Sequence, residues 1–297
     1  MNIALFAKRV HTNNFPFIQE LITSVQPYGK QLWMYKPFYE AASGSLIFPH
    51  APVLFENQQD IEGKVDYLFS IGGDGTILDA VGIVGNSGIP VIGINLGRLG
   101  FLSGISKGEI SQALVALDSG KFSKEERTLL KLVTPDGLLG KINFALNDLT
   151  VYKPNAMSLL TIKTWINGVF LNAYWADGLI VSTPTGSTAY SLSCTGPIIT
   201  PDAENFLITP IASHNLTVRP IVIRDDSEIR IRVGGKATTF LVSLDSRTTE
   251  VDRDIELIIS RASFKINLIR LEGGHFFSTI REKLNWGLDN RNYQEND

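Results

Sequence analysis

The chain has a single cysteine, Cys194, among 297 residues. An intrachain disulfide framework is therefore excluded, which agrees with a reducing compartment. No apolar run approaches the roughly 20 residues that a helix needs to cross a bilayer. The opening Met1-Asn2-Ile3-Ala4-Leu5-Phe6 lacks a basic stretch and a small-residue cleavage site, so it reads as a first strand and not as a secretory leader. A cytoplasmic protein that neither spans nor binds membranes is expected. Neither sign of charge is in excess: 27 Lys and Arg against 30 Asp and Glu leave a net charge of -3. That balance gives no general attraction to nucleic acid or anionic lipid. His11, His50, His214 and His275 are scattered without metal-ligand spacing, and no side-chain metal site is expected. Two glycine signatures are also missing. No Gly-Lys pair is followed by Ser or Thr as in a Walker A loop, and the G-x-G-x-x-G fingerprint of dinucleotide dehydrogenases does not occur.

What the chain does have is Ile71-Gly72-Gly73-Asp74-Gly75-Thr76, placed where a buried strand hands over to a helix. Tyr67-Leu68-Phe69-Ser70-Ile71 is a short, mostly apolar run of the kind that forms a strand covered on both faces. Ile77, Leu78, Val81 and Val84 then fall on one stripe of a helix starting near Thr76. Glycines let a ligand approach the backbone, and N–H groups at a helix start attract anions, so a phosphoryl group suits this turn. A carboxylate repels phosphate unless a magnesium ion intervenes or the carboxylate serves as base toward an acceptor hydroxyl. The plainer alternative is a tight turn in which Asp74 caps the helix.

Around this motif, residues 1 to 122 alternate strand and helix patterns, which predicts an α/β domain with a Rossmann-like parallel sheet. The predicted strands are Ile3 to Phe6, Gln31 to Tyr35, Tyr67 to Ile71 and Val91 to Ile94. Phe17, Ile18, Leu21, Ile22 and Val25 have helical spacing before Pro27. Ser106 and Glu109 form a capping-box pattern ahead of another helix, which explains Ser106 better than the nucleophile-elbow pattern that Gly104-Ile105-Ser106-Lys107-Gly108 also matches. From about 123 to 272 the pattern becomes two-residue alternation, as at Ile229, Ile231 and Val233 and at Phe264, Ile266 and Leu268, and an all-β domain is expected. Asn167-Gly168 marks a hairpin. Residues 273 to 297 predict a C-terminal helix through Phe276, Phe277, Ile280 and Leu284, terminated by Gly287, with a disordered tail after Asp289.

A second unusual stretch runs from Asp177 to Ser193 and contains Ser182, Thr183, Thr185, Ser187, Thr188, Ser191 and Ser193. A strand at Leu179 to Val181 leads into a turn at Pro184 to Gly186, and a helix from Ser187 would offer N–H groups and hydroxyls to a phosphorylated, polyhydroxylated ligand. A water-solvated loop is the alternative. Two phosphate-compatible loops in one chain fit a transfer reaction with a donor and an acceptor.

These residues, with Asn95-Leu96-Gly97-Arg98-Leu99-Gly100-Phe101-Leu102, Asn147-Asp148, Phe276-Phe277 and Lys283-Leu284-Asn285-Trp286-Gly287, resemble the bacterial NAD kinases along most of the chain. The resemblance implies transfer of the γ-phosphoryl group of ATP to the 2′-hydroxyl of the adenosine ribose of NAD, giving NADP. It makes Asp74 the catalytic base. Gly72, Gly73, Gly75 and Thr76, with Arg98, become the cradle for ATP and its Mg2+. On the NAD side it implies Asp74, Gly75, Phe101 beside adenine, and Asn147 and Asp148 at the adenosine end. Thr185, Thr188, Ala189, Tyr190, Ser191, Leu192 and Ser193 match the segment that wraps the dinucleotide, and Asp177 a residue at its nicotinamide end. Homotetramers or homodimers are the implied assemblies.

Three stretches depart from the family pattern. Trp175 stands where many relatives have a basic or small residue, so stacking replaces a cation near the pyrophosphate. Asp245-Ser246-Arg247 replaces Asp-Gly-Gln, and Arg247 is a candidate for the missing charge. Cys194-Thr195 replaces small residues. The alternatives to this function are a lipid kinase of the diacylglycerol or sphingosine type, which shares the Gly-Gly-Asp-Gly loop, and a non-catalytic NAD-binding sensor.

Overall fold

The computed structural model describes residues 1–8, 10–97, 100–155, 159–271, 273 and 275–287. The chain forms two compact units, one from Met1–Glu126 together with the stretch from Ile266, the other from Arg127–Lys265.

The first unit opens with β1 (Asn2–Phe6), α1 (Phe15–Val25), β2 (Gln31–Tyr35), α2 (Lys36–Ala42), β3 (Val53–Phe55), α3 (Gln58–Ile61) and β4 (Tyr67–Ile71). It continues through α4 (Asp74–Val84), β5 (Val91–Asn95), β6 (Ile105–Ser106), α5 (Ile110–Ser119) and β7 (Phe122–Arg127). The four predicted strands form, and α1 buries Phe17, Ile18, Leu21, Ile22 and Val25. Side chains of this size each stabilise the fold by roughly 1.5–3 kcal/mol when removed from water. The capping box predicted at Ser106 and Glu109 also forms, on a 3-10 turn leading into α5. Pattern reading did not predict β3, α2 or α3, each of which is short.

The second unit contains β8 (Leu130–Thr134), β9 (Phe144–Ala145), β10 (Asp148–Tyr152), β11 (Leu160–Ile166), β12 (Val169–Ala176), β13 (Gly178–Ser182), the short α6 (Tyr190–Ser193) and β14 (Asn205–Ile211). It ends with β15 (Ile221–Arg224), β16 (Ile229–Gly235), β17 (Thr239–Leu244), β18 (Arg247–Asp252) and β19 (Glu256–Arg261). The chain then supplies β20 (Ile266–Leu271) and α7 (Phe276–Leu284) to the first unit.

The first sheet has the order β3-β2-β1-β4-β5-β20-β7, with β6 paired to β5. β1 is flanked by β2 and β4, both parallel to it. Strand order therefore reverses between β1 and β4, and in open α/β sheets such a switch point leaves a crevice at the carboxyl ends of the strands. The Gly-Gly-Asp-Gly turn leaves the carboxyl end of β4.

Two antiparallel six-stranded sheets make the second unit, ordered β15-β14-β13-β10-β17-β18 and β12-β11-β16-β19-β8-β9. One apolar core takes Leu149, Val181 and Val242 from the first of these sheets and Leu132, Ile162 and Ile231 from the other. Asn167 and Gly168 (φ 49° and 79°) turn the predicted hairpin between β11 and β12. Both residues have the left-handed conformation that a two-residue hairpin turn favours.

Two expectations need correction. Alternation at Ile266 and Leu268 predicts a strand of the all-β half, yet β20 runs parallel to β5 in the first sheet, through Leu268 opposite Val91. Alternation reports that a strand has an inner face, not which sheet takes it. The C-terminal helix ends at Asn285 in the left-handed conformation, before Gly287; asparagine fills the role usually given to glycine. The tail after Asp289 lies outside the described residues.

The chain passes between the two antiparallel sheets at Asp177, and Gly178 follows because a Cβ there would lie 2.4 Å from the Val151 carbonyl oxygen. Gly178→Ala is expected to lower unfolding stability by about 1–3 kcal/mol through overpacking. Gly234→Ala, whose Cβ would meet ordinary contacts at 3.6 Å or more, is expected to cost markedly less. Urea unfolding of both variants checks the pair.

Candidate active site

The glycine turn divides its labour. A Cβ on Gly72 would lie 2.2 Å from the Thr76 hydroxyl, whereas a Cβ on Gly73 or Gly75 would meet nothing within 4 Å. Gly72 thus permits close packing, and the other two glycines face open space that a phosphate can enter. Behind them α4 begins at Asp74, and although the Thr76 N–H already bonds the Gly73 carbonyl at 2.9 Å, the N–H groups of Asp74 and Gly75 precede the first helical carbonyls and suit an anion.

Asp74 does not cap that helix; Gly73 is the cap residue and makes no side-chain cap bond. Its carboxylate is instead gripped by the segment Gly100–Ser103. Phe101 N–H donates to Oδ2 at 2.7 Å, and the N–H groups of Leu102 and Ser103 donate to Oδ1 at 3.2 Å each. The Ser103 hydroxyl donates to Oδ1 at 3.3 Å and accepts from Gly100 N–H at 3.0 Å. A Cβ on Gly100 would sit 1.7 Å from Asp74 Oδ1, so only glycine leaves room for the carboxylate. Arg270, buried and paired with Glu125, donates to the Phe101 carbonyl and fixes the segment from its other side. Sequence reasoning singled out Asp74 as base and Phe101 beside adenine, but it did not foresee that the Phe101 N–H, Gly100 and Ser103 grip the carboxylate. Arg98 lies outside the described residues.

In the second unit Asp148 opens β10 with Asn147 just before it, and the Ser/Thr-rich segment packs against the Leu146–Asn147 backbone. Thr183 N–H donates to the Asn147 carbonyl at 2.9 Å, and the Thr183 hydroxyl to the Leu146 carbonyl at 2.6 Å. A Cβ on Gly186 would lie 2.1 Å from the Asn147 carbonyl oxygen. The segment is neither a solvated loop nor a helix from Ser187. It forms a 3-10 turn over Thr185–Thr188, then α6 from Tyr190. Its hydroxyls are mostly structural: Ser187 bonds Ile199, Thr188 bonds the Thr185 carbonyl, Ser191 bonds Thr209, and Thr185 receives the buried Arg127. Burial of these groups requires such partners. Ala189, Tyr190, Leu192 and Ser193 keep partial or full exposure.

Asp148 is buried, and its pKa is raised from 3.8 to about 7, first by burial and then by the charge of Asp245, with the Thr150 hydrogen bond opposing. Tyr190 and Cys194 are near enough to be influenced by Asp148, and burial raises both. Asp177 pairs with Lys153 at 2.7 Å. Trp175 is 58 % exposed on β12, its indole N–H donating to the Thr161 hydroxyl at 2.9 Å. Arg247 donates to the carbonyls of Ile142 and Phe144.

Residues 53–122 match the ATP-NAD kinase N-terminal domain and residues 146–271 the ATP-NAD kinase C-terminal domain. The NAD kinase of Cytophaga hutchinsonii is 43% identical over 98% of this chain and 100% of its own length. The chain belongs to the ATP-NAD kinase family. A further relative, the NAD kinase of Bacteroides fragilis, is 39% identical over 98% of this chain and 100% of its own. Among solved structures, yeast NADH kinase complexed with NADH superposes with a TM-score of 0.86 at 29% identity, covering 97% of this chain and 88% of that one. An Archaeoglobus fulgidus NAD kinase in complex with ATP shares the fold, with a TM-score of 0.71 at 22% identity over 96% of this chain and 99% of that one. The lipid-kinase and sensor alternatives find no support in these relatives.

The raised pKa of Asp148 has a stability consequence within the ATP-NAD kinase fold. Its folded-state pKa exceeds the unfolded value, so the protonated group favours folding, and that contribution is lost as pH rises from about 4 through about 7. Asp148→Asn, which cannot ionise, is expected to lose several degrees less melting temperature than the wild type between about pH 5 and about pH 8. Calorimetry at both pH values checks it; equal losses would contradict the ionisation.

Proposed function

We propose that the chain transfers the γ-phosphoryl group of ATP to the 2′-hydroxyl of the adenosine ribose of NAD, giving NADP. The observation that carries this reading is the Asp74 carboxylate, held in one orientation by three backbone N–H groups at a turn whose Gly73 and Gly75 face open space. Asp74 is the general base. A carboxylate has about four lone-pair sites, and Oδ2 receives one N–H while Oδ1 receives three donors, so Oδ2 has room for the proton of the attacking hydroxyl.

Gly72, Gly73, Gly75 and Thr76, with Arg98, hold the donor phosphates. Among the described residues no three His, Cys, Asp or Glu side chains are grouped to hold a metal. This donor set fits a magnesium ion that arrives on the phosphates and keeps its waters, with Asp74 and the Thr76 hydroxyl as candidate protein oxygens. When bound, the ion neutralises charge on the phosphoryl oxygens.

On the acceptor side Asn147 and Asp148 hold the adenosine end, where a carboxylate accepts from paired ribose hydroxyls. Phe101 lies against adenine, and Thr185, Thr188 and Ala189 to Ser193 wrap the dinucleotide. Asp177 serves the nicotinamide end and Trp175 stacks near the pyrophosphate. The packing of Thr183 and Gly186 against the Leu146–Asn147 backbone supports treating residues 146–148 and 183–193 of the second unit as one binding surface. Self-association into a homotetramer or homodimer belongs to the same reading. It is consistent with exposed Val169, Phe170 and Trp175 on the edge strand β12. A cytoplasmic location fits ATP and NAD as substrates, and among the described residues no helix is long and apolar enough to cross a membrane.

Purified protein with ATP, Mg2+ and NAD is expected to form NADP, read through an NADP-requiring dehydrogenase, and to leave diacylglycerol unphosphorylated. Asp74→Asn should lower kcat by about 10²- to 10⁴-fold. Gly100→Ala should do the same, because its methyl group displaces the carboxylate, and should also lower the melting temperature as the N–H groups of residues 101–103 lose their acceptor. Full activity in Asp74→Asn would remove the base assignment.

A further inference from the structure

We infer that the hairpin turn Asp245-Ser246-Arg247 is the positioning element for Asn147 and Asp148, fixing the backbone that aims them at NAD. The inference rests on the proposed role of that pair. β17 and β18 pair through Leu244 opposite Arg247, which leaves Asp245 and Ser246 as the two turn residues. Asp245 has φ 51°, a left-handed conformation that asparagine and aspartate tolerate better than other side-chain-bearing residues. Its carboxylate, 4 % exposed, receives three successive backbone N–H groups: Leu146 on Oδ2 at 2.9 Å, Asn147 on Oδ1 at 2.8 Å and Asp148 on Oδ1 at 3.4 Å. Asp245 N–H returns a bond to the Asp148 carbonyl at 3.0 Å.

From the far end of the same turn Arg247 donates to the carbonyls of Ile142 and Phe144. Its guanidinium lies 4.0 Å from Asp245 Oδ2 and partly offsets the buried charge. One turn thus takes the N–H groups of residues 146–148 and the carbonyls of 142 and 144. The approach to the acceptor pair is held from both sides by groups bonded to its own backbone. Arg247 therefore acts through the backbone and not as a pyrophosphate ligand, which reassigns the charge that the Arg replacement introduces.

The readout that separates positioning from general support is a split between substrates. In the 297-residue chain, Asp245→Ala is expected to raise KM for NAD about tenfold or more with KM for ATP changed little, since each lost charge-assisted bond is worth roughly that factor, and to lower the melting temperature because three N–H groups lose their acceptor. Asp245→Asn keeps one acceptor oxygen and should recover part of the loss. Arg247→Ala should move KM for NAD in the same direction, and the double variant should fall short of the product of the two effects, because both side chains act on one segment. Should Asp245→Ala fail to fold, Asp245→Asn and Arg247→Ala carry the same comparison. Equal rises in both KM values, or unchanged KM for NAD in all these variants, overturns the inference. Asp148→Ala run in parallel separates the two levels. If it raises KM for NAD while the turn variants do not, the positioning role alone fails; if it leaves KM for NAD unchanged, the assignment of the pair to NAD fails and the inference with it.

Discussion

Each unit depends on the same interaction, a carboxylate received by three consecutive backbone N–H groups. In the first unit Asp74 is held by residues 101–103, and in the second Asp245 is held by residues 146–148. A loop that leaves regular structure carries N–H groups that must find acceptors, and an ionised carboxylate is the strongest acceptor a side chain offers. The bond is therefore reciprocal: it orders the loop and fixes the acid. The difference is in exposure. Asp74 is partly open, as its proposed role as base requires, whereas the Asp245 side chain is almost fully buried and acts on its neighbours.

Glycine makes both arrangements possible by leaving out a methyl group. Gly100 yields its space to the Asp74 carboxylate, and Gly186 yields its space to the Asn147 carbonyl. These two glycines need no unusual backbone angle; close approach explains them. Hydroxyls act in a similar way. The Ser/Thr-rich segment resembles a ligand surface by composition, yet Thr183, Ser187, Thr188 and Ser191 spend their hydrogen bonds on holding the chain in place. The segment is a shaped backbone more than a row of free hydroxyls.

Electrostatics sets a tension at Asp148. Placing it beside Asp245 in a dry environment makes its ionised form unfavourable near neutral pH. Asp245 is itself pushed up by burial, against which its three N–H donors and Arg247 act. A group poised this way is destabilised in its charged form, so the proposed contact with ribose hydroxyls would offset a cost already present in the fold.

The sequence by itself determined the elements whose residues speak through local chemistry. The strand Tyr67–Ile71 and the helix stripe after it follow from apolar spacing, the Ser106 capping box from two side chains three apart, and the hairpin at Asn167-Gly168 from a dipeptide that tolerates left-handed angles. The family resemblance, too, was carried by contiguous motifs. Tertiary structure decided what depends on partners distant in sequence. It sent Ile266–Leu271 to the parallel sheet, turned Asp74 toward residues 27 to 29 positions away, and brought Asp245 beneath a turn almost a hundred residues earlier. Periodicity records that a face is buried and a motif records that a residue type is present. Which N–H a carboxylate meets is fixed only when the two segments pack, because hydrogen bonds form between neighbours in space, whatever their separation along the chain.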